Sequence, residues 1–311
     1  NFGEVENKGI EFNLDGIIMN KDDLNWTVNA NIGINRNKLK KLNSNLDFQL
    51  GPSVGFSQAY PILFMVDQPL GIYWGAETDG VYSSWEEANA SGIAGAAPGE
   101  IRYINHYVDL DDSGQPLEIQ EINFDDYVKI GDPNPDFTYS ISNNFTYKNW
   151  DANILFTGQK GGDLFWVDSW QLSGLQKTTN ILNSSYANSW IAPLTYQNGN
   201  YIYDESIGNL NSASHPGAMI ETGSRAISSD RNIFDGSFIR LKNINIGYNF
   251  DLKNGKNMRI YLAGQNLVVW TDYPGYDPEV RTYTKNPQKR GVDFGTYPGT
   301  RSFLMGLKLN Y

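Results

Sequence analysis

The chain of 311 residues contains no cysteine, which excludes disulfide frameworks, thiolate zinc sites and cysteine nucleophiles. Its only histidines, His106 and His215, are too few for a histidine metal site and have no neighbouring carboxylate pattern that would mark a catalytic base. No apolar run is long enough for a transmembrane helix. Since no combination of acid, base and nucleophile is present either, the sequence predicts no enzymatic activity.

Basic residues are also few. Lys and Arg number 24 against 35 Asp and Glu, and the resulting net charge of −11 argues against a nucleic-acid surface, which needs clustered cations to neutralise phosphates. Charged residues make up only 19% of the chain, whereas Gly (31), Tyr (19), Phe (15) and Trp (8) are abundant. This composition favours strands and turns over helices.

The N-terminal residues lack the features of a leader. Asn1 opens without Met, without a basic region and without an apolar stretch. We therefore expect the chain to be a piece of a longer protein.

The clearest pattern is TRSFLMGLKLNY at 300–311, where apolar and polar residues alternate. Successive side chains of a strand point to opposite faces. One face would carry Phe303, Met305, Leu307, Leu309 and Tyr311, and the other Ser302, Gly306, Lys308 and Asn310; only Leu304 breaks the pattern. Such a strand has one face on a core and one in water, or, in an outer-membrane barrel, one in lipid and one in the lumen.

The same alternation recurs in three predicted hairpins, at 10–34, 137–156 and 235–270. Their polar faces consist of Asn, Thr, Ser and Gly, which suit a wet lumen better than a dry interior. The sequence therefore predicts an all-β fold, an antiparallel transmembrane β-barrel, with a soluble β-sandwich as the alternative.

Connections in the chain are unequal in length. Turns inside the hairpins are short, whereas the segments at about 158–235 and 271–297 are long, as expected for periplasmic turns and extracellular loops. For this parity to hold, the region 38–130 must contain an even number of strands, with candidates near 64–81 and 100–107.

Several stretches, in this order, resemble the SusC-like TonB-dependent transporters of the Bacteroidetes type. They are GEVENKGIEF at 3–12, DQPLGIYWGAETDGVY at 67–82, PGEIRYIN at 98–105, DLDDSG at 109–114, IGDPNPDFTYSISNNFTYKNWDANILFTGQKGGDLF at 130–165, DGSFIRLKNINIGYNF at 235–250 and IYLAGQNLVVWTDYPGYDPEV at 260–280, followed by YPGTRSF.

The resemblance implies a barrel of about 22 strands with an N-terminal plug and TonB box. Residues 1–311 would be the C-terminal part of that barrel, with roughly eight to ten strands and without plug or TonB box. It also implies a SusD-like lipoprotein lid, the TonB complex as energy source, and import of oligosaccharides or oligopeptides through the outer membrane. The alternatives are a non-transporting barrel in a surface assembly and a β-rich glycan-binding protein.

The candidate substrate site lies in 161–190, a segment that strand parity places on the outside. Trp166, Trp170 and Trp190, with Asp163 and Asp168, stand among Ser, Asn and Gln, and rings flanked by polar groups suit sugars or peptide side chains. The alternative is that these rings pack the loop onto the barrel rim.

A candidate metal site lies in DLDDSG. Asp109, Asp111, Ser113 and Gly114 have the spacing of positions 1, 3, 5 and 6 of a calcium loop. The hypothesis is a structural Ca²⁺ or Mg²⁺ ion, and the alternative is a hydrated acidic loop; no other cofactor is expected.

Overall fold

Strands dominate the computed structural model, which describes residues 3–43, 46–55, 60–175, 180–204, 206–208, 213–217, 227–252, 256–280, 282–283 and 286–310. The strands are β1 (Gly3–Lys21), β2 (Leu24–Leu42), β3 (Phe48–Leu50), β4 (Ile62–Met65), β5 (Ile72–Gly75), β6 (Thr78–Val81), β7 (Ile101–Tyr103), β8 (Val128–Gly131), β9 (Pro135–Tyr147), β10 (Trp150–Gly161), β11 (Asp163–Trp166), β12 (Leu194–Gln197), β13 (Asn200–Tyr203), β14 (Ile233–Asp235), β15 (Phe238–Asp251), β16 (Asn257–Trp270), β17 (Val292–Asp293) and β18 (Ser302–Asn310). The helices are α1 (Trp85–Ala90) and α2 (Asn183–Ala187), with helical turns at Phe124–Asp126, Gln171–Leu175, Asp230–Asn232 and Pro287–Lys289. No described helix is long and apolar enough to cross a membrane.

Seven long strands form one antiparallel sheet in the order β1-β2-β9-β10-β15-β16-β18. β1 and β2 have 19 residues each and β18, the shortest, has 9. A tilted transmembrane strand needs about 9 to 11 residues, so each of the seven is long enough to span a bilayer. The predicted all-β, antiparallel fold class is confirmed.

One face of this sheet is apolar and exposed. Phe12 and Leu14 on β1 are 62% and 67% exposed, and Phe303 and Met305 on β18 are 81% and 77% exposed. Such residues would normally be buried in a water-soluble sheet. Their exposure matches the lipid-facing band predicted from the alternation in 300–311; Tyr311 itself lies outside the described residues.

The two ends of the sheet differ in the length of the connections between strands, as predicted. β1–β2 and β9–β10 are joined by two-residue turns, Asp22-Asp23 and Lys148-Asn149. At the opposite end lie three long connections, 43–134, 162–237 and 271–301.

The first connection, 43–134, contributes no strand to the seven-stranded sheet. Its candidate strands, β4 to β7, have only three or four residues each and pair in separate small sheets, β3-β4-β5-β8 and β6-β7. The expectation of eight to ten barrel strands was therefore too high for the described residues. With no described strand of the long sheet in this region, β2 and β9 are still neighbouring antiparallel strands, and the long connections stay at the same end of the sheet.

The three connections pack against each other and form a layer, called here the loop layer, over one end of the sheet. The parallel pairing of β11 with β17 joins the second connection to the third. The main buried cluster draws on all three connections and on the end of β2; it contains Leu39, Leu42, Val54, Ile62, Phe64, Tyr73, Phe165, Val167, Trp170 and Val292. Because the long sheet exposes apolar side chains on one face and polar side chains on the other, the principal apolar core lies in the loop layer.

Buried charges tie the third connection to the sheet. Arg240 on β15 is 3% exposed and forms ion pairs with Asp277, at 2.5 Å, and Glu279, at 2.8 Å. Asp277 also accepts the backbone N–H groups of Glu279 and Gly299. The pairing of β15 with β16 shifts register between Leu241 and Asn243, which changes the alternation and turns Arg240 to the polar face.

Candidate binding site on the polar face of the sheet

Asparagine side chains connect neighbouring strands across the polar face. The Asn31 amide on β2 donates to Glu11 at 2.7 Å and to Asn13 at 2.6 Å, both on β1. On β9, Asn144 donates to Asn29 and accepts from Asn153 of β10 at 2.7 Å. These amides pair with one another and remain open to solvent, so the polar face is a hydrophilic surface able to offer donors and acceptors to a ligand.

An ion pair continues this network across β10, β15 and β16. Arg259 Nε donates to Asp151 Oδ1 at 2.9 Å, and Arg259 Nη2 donates to Asn245 Oδ1 at 2.7 Å. The guanidinium crosses directly over Gly247, where a Cβ atom would lie 2.4 Å from Arg259 Nε. Gly247 therefore leaves the space that this charged cross-strand contact needs.

Two cavities lie where the polar face meets the loop layer. One, of about 380 Å³, has Gly9, Gly33 and Glu11 of the first two strands on its wall together with Asn134 and Arg290. The second, of about 570 Å³, also contains Asn134 and Arg290 and extends to Phe64 and Tyr283. Both volumes fall in the range of about 300 to 1,000 Å³ that is typical of ligand pockets. The two cavities share Asn35, Asn134 and Arg290 in their walls, and together they form the candidate site.

The wall that separates this site from the core is a fixed turn at 286–291. Asn286 Oδ1 accepts the Gln288 N–H at 3.1 Å, and Lys289 Nζ lies 4.3 Å from the centre of the Tyr283 ring. The buried Tyr73 hydroxyl donates to the Arg290 carbonyl at 3.0 Å, and burial raises the pKa of Tyr73, so the phenol stays protonated.

Gly291 allows this close approach. Its φ is +72°, and a Cβ atom there would lie 2.5 Å from the Tyr73 hydroxyl. Its carbonyl accepts the Phe165 N–H at 3.0 Å. The turn is therefore attached to two elements of the loop-layer core.

Comparison with known proteins gives consistent relatives along the whole chain. A TonB-dependent receptor of Formosa agariphila is 34% identical over 324 aligned positions, covering 100% of this chain and 29% of the relative. The TonB-dependent receptor SusC of Bacteroides thetaiotaomicron is 25% identical, covering 100% of this chain and 27% of SusC. The chain is homologous to the SusC-like TonB-dependent receptors. It spans less than a third of the length of these relatives.

Solved structures agree on the fold. The structure of the RagAB peptide transporter matches 99% of this chain and 30% of the RagAB chain, with a TM-score of 0.70 and 18% identity. The RagAB peptide importer in its open-open state gives a TM-score of 0.64 at 18% identity, covering 99% of this chain and 29% of its own. A scan against protein-family models finds no match. The predicted membership in the SusC-like group thus agrees with both sequence relatives and fold.

Two of the predicted substrate residues lie inside the loop layer. Trp166 and Trp170 are each 6% exposed. Trp166 makes edge contacts with Phe234 and Tyr273 at centroid distances of 5.6 and 6.1 Å, and Trp170 contacts Phe165 at 5.5 Å. Both border a cavity of about 120 Å³, below the size typical of ligand pockets. This burial favours the packing alternative for these two rings.

The remaining predicted substrate residues are held by backbone contacts. Asp163 accepts the Asp132 N–H at 2.7 Å and Asp168 accepts the Gly295 N–H at 2.9 Å. Burial raises the pKa of both carboxyl groups. Trp190 is half-buried, and its backbone N–H donates to the His215 carbonyl at 2.9 Å. Their role in substrate binding stays a prediction.

In the predicted metal loop, the carboxylates accept hydrogen bonds from the chain. Asp111 Oδ1 accepts the N–H groups of Ser113 and Gln115, at 2.8 and 2.9 Å, and Asp109 Oδ2 accepts that of Glu121 at 2.8 Å. Within the part of the chain that the structure describes, no group of three or more His, Cys, Asp or Glu residues could hold a metal ion. The Ca²⁺ or Mg²⁺ hypothesis stays a prediction without support from the geometry.

Sequence reasoning missed the site at Asn134 and Arg290. From the sequence, Lys289 and Arg290 are predicted to be one of several clusters of basic residues on the barrel rim. The pattern that identifies them is the segment 281–290, which carries four basic residues and no acidic one in a chain of net charge −11.

Proposed function

We propose that the chain forms part of an outer-membrane transporter that imports oligosaccharides or oligopeptides. The observation that carries the proposal is the two-faced sheet: seven strands long enough to span a bilayer expose apolar side chains on one face and an asparagine network on the other. The apolar face contacts lipid, and the polar face lines the route of the substrate.

The unpaired sheet edges require additional strands. β1 and β18 each pair on one side only in the described sheet, and an open edge in lipid leaves backbone groups without hydrogen bonds. In this proposal the other strands, the plug and the TonB box belong to the remaining length that the relatives have, and the TonB complex supplies the energy.

The loop layer in this proposal faces the outside and binds a SusD-like lipoprotein lid. Its most exposed element is the hairpin β12–β13, where the Tyr196 and Tyr201 rings, 64% and 74% exposed, pair at a centroid distance of 5.0 Å. Leu194 and Tyr203, which pair with each other on the same face of this hairpin, are 45% and 43% exposed. A contiguous apolar patch of this kind is typical of a protein interface.

As for substrate class, the RagAB structures with this fold are described as a peptide transporter and a peptide importer. The SusC likeness keeps oligosaccharides as the second class. The asparagine side chains of the polar face suit both classes, because an amide can donate hydrogen bonds to, and accept them from, peptide groups and sugar hydroxyls.

Replacing Tyr196 and Tyr201 by Ser in the complete receptor is expected to reduce recovery of the lid. Exposed aromatic anchors at the centre of an interface contribute on the order of 2 kcal/mol or more each. The measurement is the molar ratio of lid to receptor after purification from native membranes in mild detergent, near one for the unmodified protein and well below one for the variant.

The control for this experiment is Tyr276→Ser, which removes an equally exposed ring, 78% accessible, outside the hairpin. Recovery of the unmodified receptor without any lipoprotein would contradict the lid proposal. Import of a labelled peptide that persists after collapse of the proton-motive force would contradict active transport energised by TonB, whereas absence of import in intact cells would favour the non-transporting alternative.

A further inference from the structure

The larger cavity combines amide groups with a concentration of positive charge. Lys289 and Arg290 line it together with Asn7, Asn35, Asn37, Asn134 and Asn286, and its described lining residues include no Asp or Glu. Glu11 lies on the wall of the adjoining smaller cavity, which Arg290 also lines. The whole chain has an excess of 11 negative charges. A cavity wall with two cations and no carboxylate is therefore the reverse of the average surface of this protein.

The two cations have no counter-ion of their own. Among the described residues neither Lys289 nor Arg290 forms an ion pair with a carboxylate: Lys289 lies over the Tyr283 ring, and the Arg290 guanidinium has one long contact, 3.5 Å, with Asn134 Oδ1. By contrast Arg240, Arg259 and Arg102 all pair with acids. The donors of Arg290 are free to bind an incoming anion.

We propose that this cavity binds a carboxylate group of the transported oligomer, with Arg290 and Lys289 as the cationic contacts. Asn134 lies beside Arg290 as part of the wall, because its amide already accepts from Asn37 and donates to Asp132. A guanidinium matches the planar, two-oxygen geometry of a carboxylate. The Tyr283 ring and Val280, on the same wall, supply apolar surface for the part of the oligomer next to the carboxylate. This inference rests on the proposed transport function and specifies its substrate as an acidic oligomer.

The backbone that carries these cations is held in place before any ligand binds. The Tyr73 hydroxyl binds the Arg290 carbonyl, Gly291 accepts the Phe165 N–H, and Val292 pairs with Phe165 in the parallel β11–β17 ladder. A binding group on a fixed backbone loses less entropy on binding than one on a mobile loop. The hydrogen bond from the buried Tyr73 therefore lowers the entropic cost of binding at this turn.

The test uses the complete receptor purified in detergent, with isothermal titration calorimetry of four probes. A glutamate oligopeptide is compared with a glutamine oligopeptide of equal length, and an oligogalacturonate with its fully methyl-esterified, neutral form. The variant is Lys289→Gln with Arg290→Gln. The control is Lys40→Gln with Lys41→Gln, which removes the same charge from an adjacent, exposed pair outside both cavities.

We expect at least one acidic probe to bind more tightly than its neutral partner, and the Lys289/Arg290 variant to weaken that binding roughly 10- to 100-fold, the loss for one charge-assisted contact. Neutral probes and the Lys40/Lys41 variant should be unaffected. The peptide and saccharide arms show which oligomer supplies the carboxylate.

Absence of a preference for either acidic probe, or equal weakening of acidic and neutral probes, would overturn the inference. Its failure is distinguishable from failure of the proposed function. Import of a neutral probe that depends on the proton-motive force and is unchanged in the variant would leave transport intact and remove only the carboxylate site.

Discussion

Replacing Trp166 or Trp170 by alanine is expected to destabilise the loop layer by about 3 to 5 kcal/mol, the cost of removing a buried tryptophan. Both rings are 6% exposed, and each makes edge contacts with other aromatic rings of the core. The lost side chain leaves a cavity whose lining loses its contacts on one side. The effect should therefore appear as local opening of the loop layer, with the sheet still assembled.

The measurement is the rate of proteolysis of the native, membrane-embedded receptor at low protease concentration. When opening and closing are fast, this rate follows the population of the open form, so the alanine variants should be cleaved more than about 100-fold faster. The control is Trp85→Ala, because Trp85 is 57% exposed and surface substitutions change stability by about 0.5 kcal/mol or less. Unchanged cleavage with weakened ligand binding would instead support the substrate role predicted from the sequence.

Asp277→Ala is expected to cost a similar amount, about 3 to 5 kcal/mol, because it leaves Arg240 buried beside fewer negative groups. Arg240 and Asp277 are 3% and 5% exposed, so neither side chain can regain full hydration without opening the third connection. The same proteolysis assay should show cleavage within 271–301.

A matched double variant separates charge from packing. Arg240→Met with Asp277→Asn removes both charges and keeps an oxygen that can accept the Glu279 and Gly299 N–H groups, while Glu279 retains Lys242 as a partner. Replacement of both members of a buried ion pair is often neutral. We therefore expect the double variant to be cleaved far more slowly than Asp277→Ala. Equal cleavage of the two would show that the ion pair does not anchor the third connection.

The sheet was largely predictable because alternation is a local property. The hairpins around Ile10 to Ile34 and Phe137 to Phe156 agree with β1–β2 and β9–β10, and the turn at Lys148 has the positive φ, 52°, of a tight turn. Each long strand pairs with the next long strand along the chain, so the order of the sheet follows from the order of the sequence.

The loop layer was less predictable because its contacts join distant parts of the chain. Tyr73 contacts the Phe165 ring and donates a hydrogen bond to the Arg290 carbonyl. Tyr73 and Arg290 are 217 positions apart in the sequence. Short strands such as β4 and β5 carry apolar runs that sequence alone does not distinguish from barrel strands. The same limit applies to Trp166, whose burial depends on Phe234 and Tyr273 from elsewhere in the chain.

The candidate site depends on both kinds of information. Its amides follow from the polar face of the strands, as the sequence indicates. Its cations and its volume follow from how the turn at 286–291 lies over Asn35 and Asn134. Only the amides could be inferred from the periodicity of the sequence.

In the proposed transporter the sheet separates lipid from a polar interior, and β18 allows this separation to be tested directly. Since the chain has no cysteine, single cysteines can be placed at positions 302–309 of the complete receptor, freed of any other cysteine, and spin-labelled in outer-membrane vesicles. The measurement compares collision with oxygen, which concentrates in lipid, and with a water-soluble nickel complex. Labels at Phe303, Met305 and Leu307 should favour oxygen, and those at Gly306 and Lys308 the nickel complex. Water accessibility without a two-residue period, or with the opposite phase, would contradict the account.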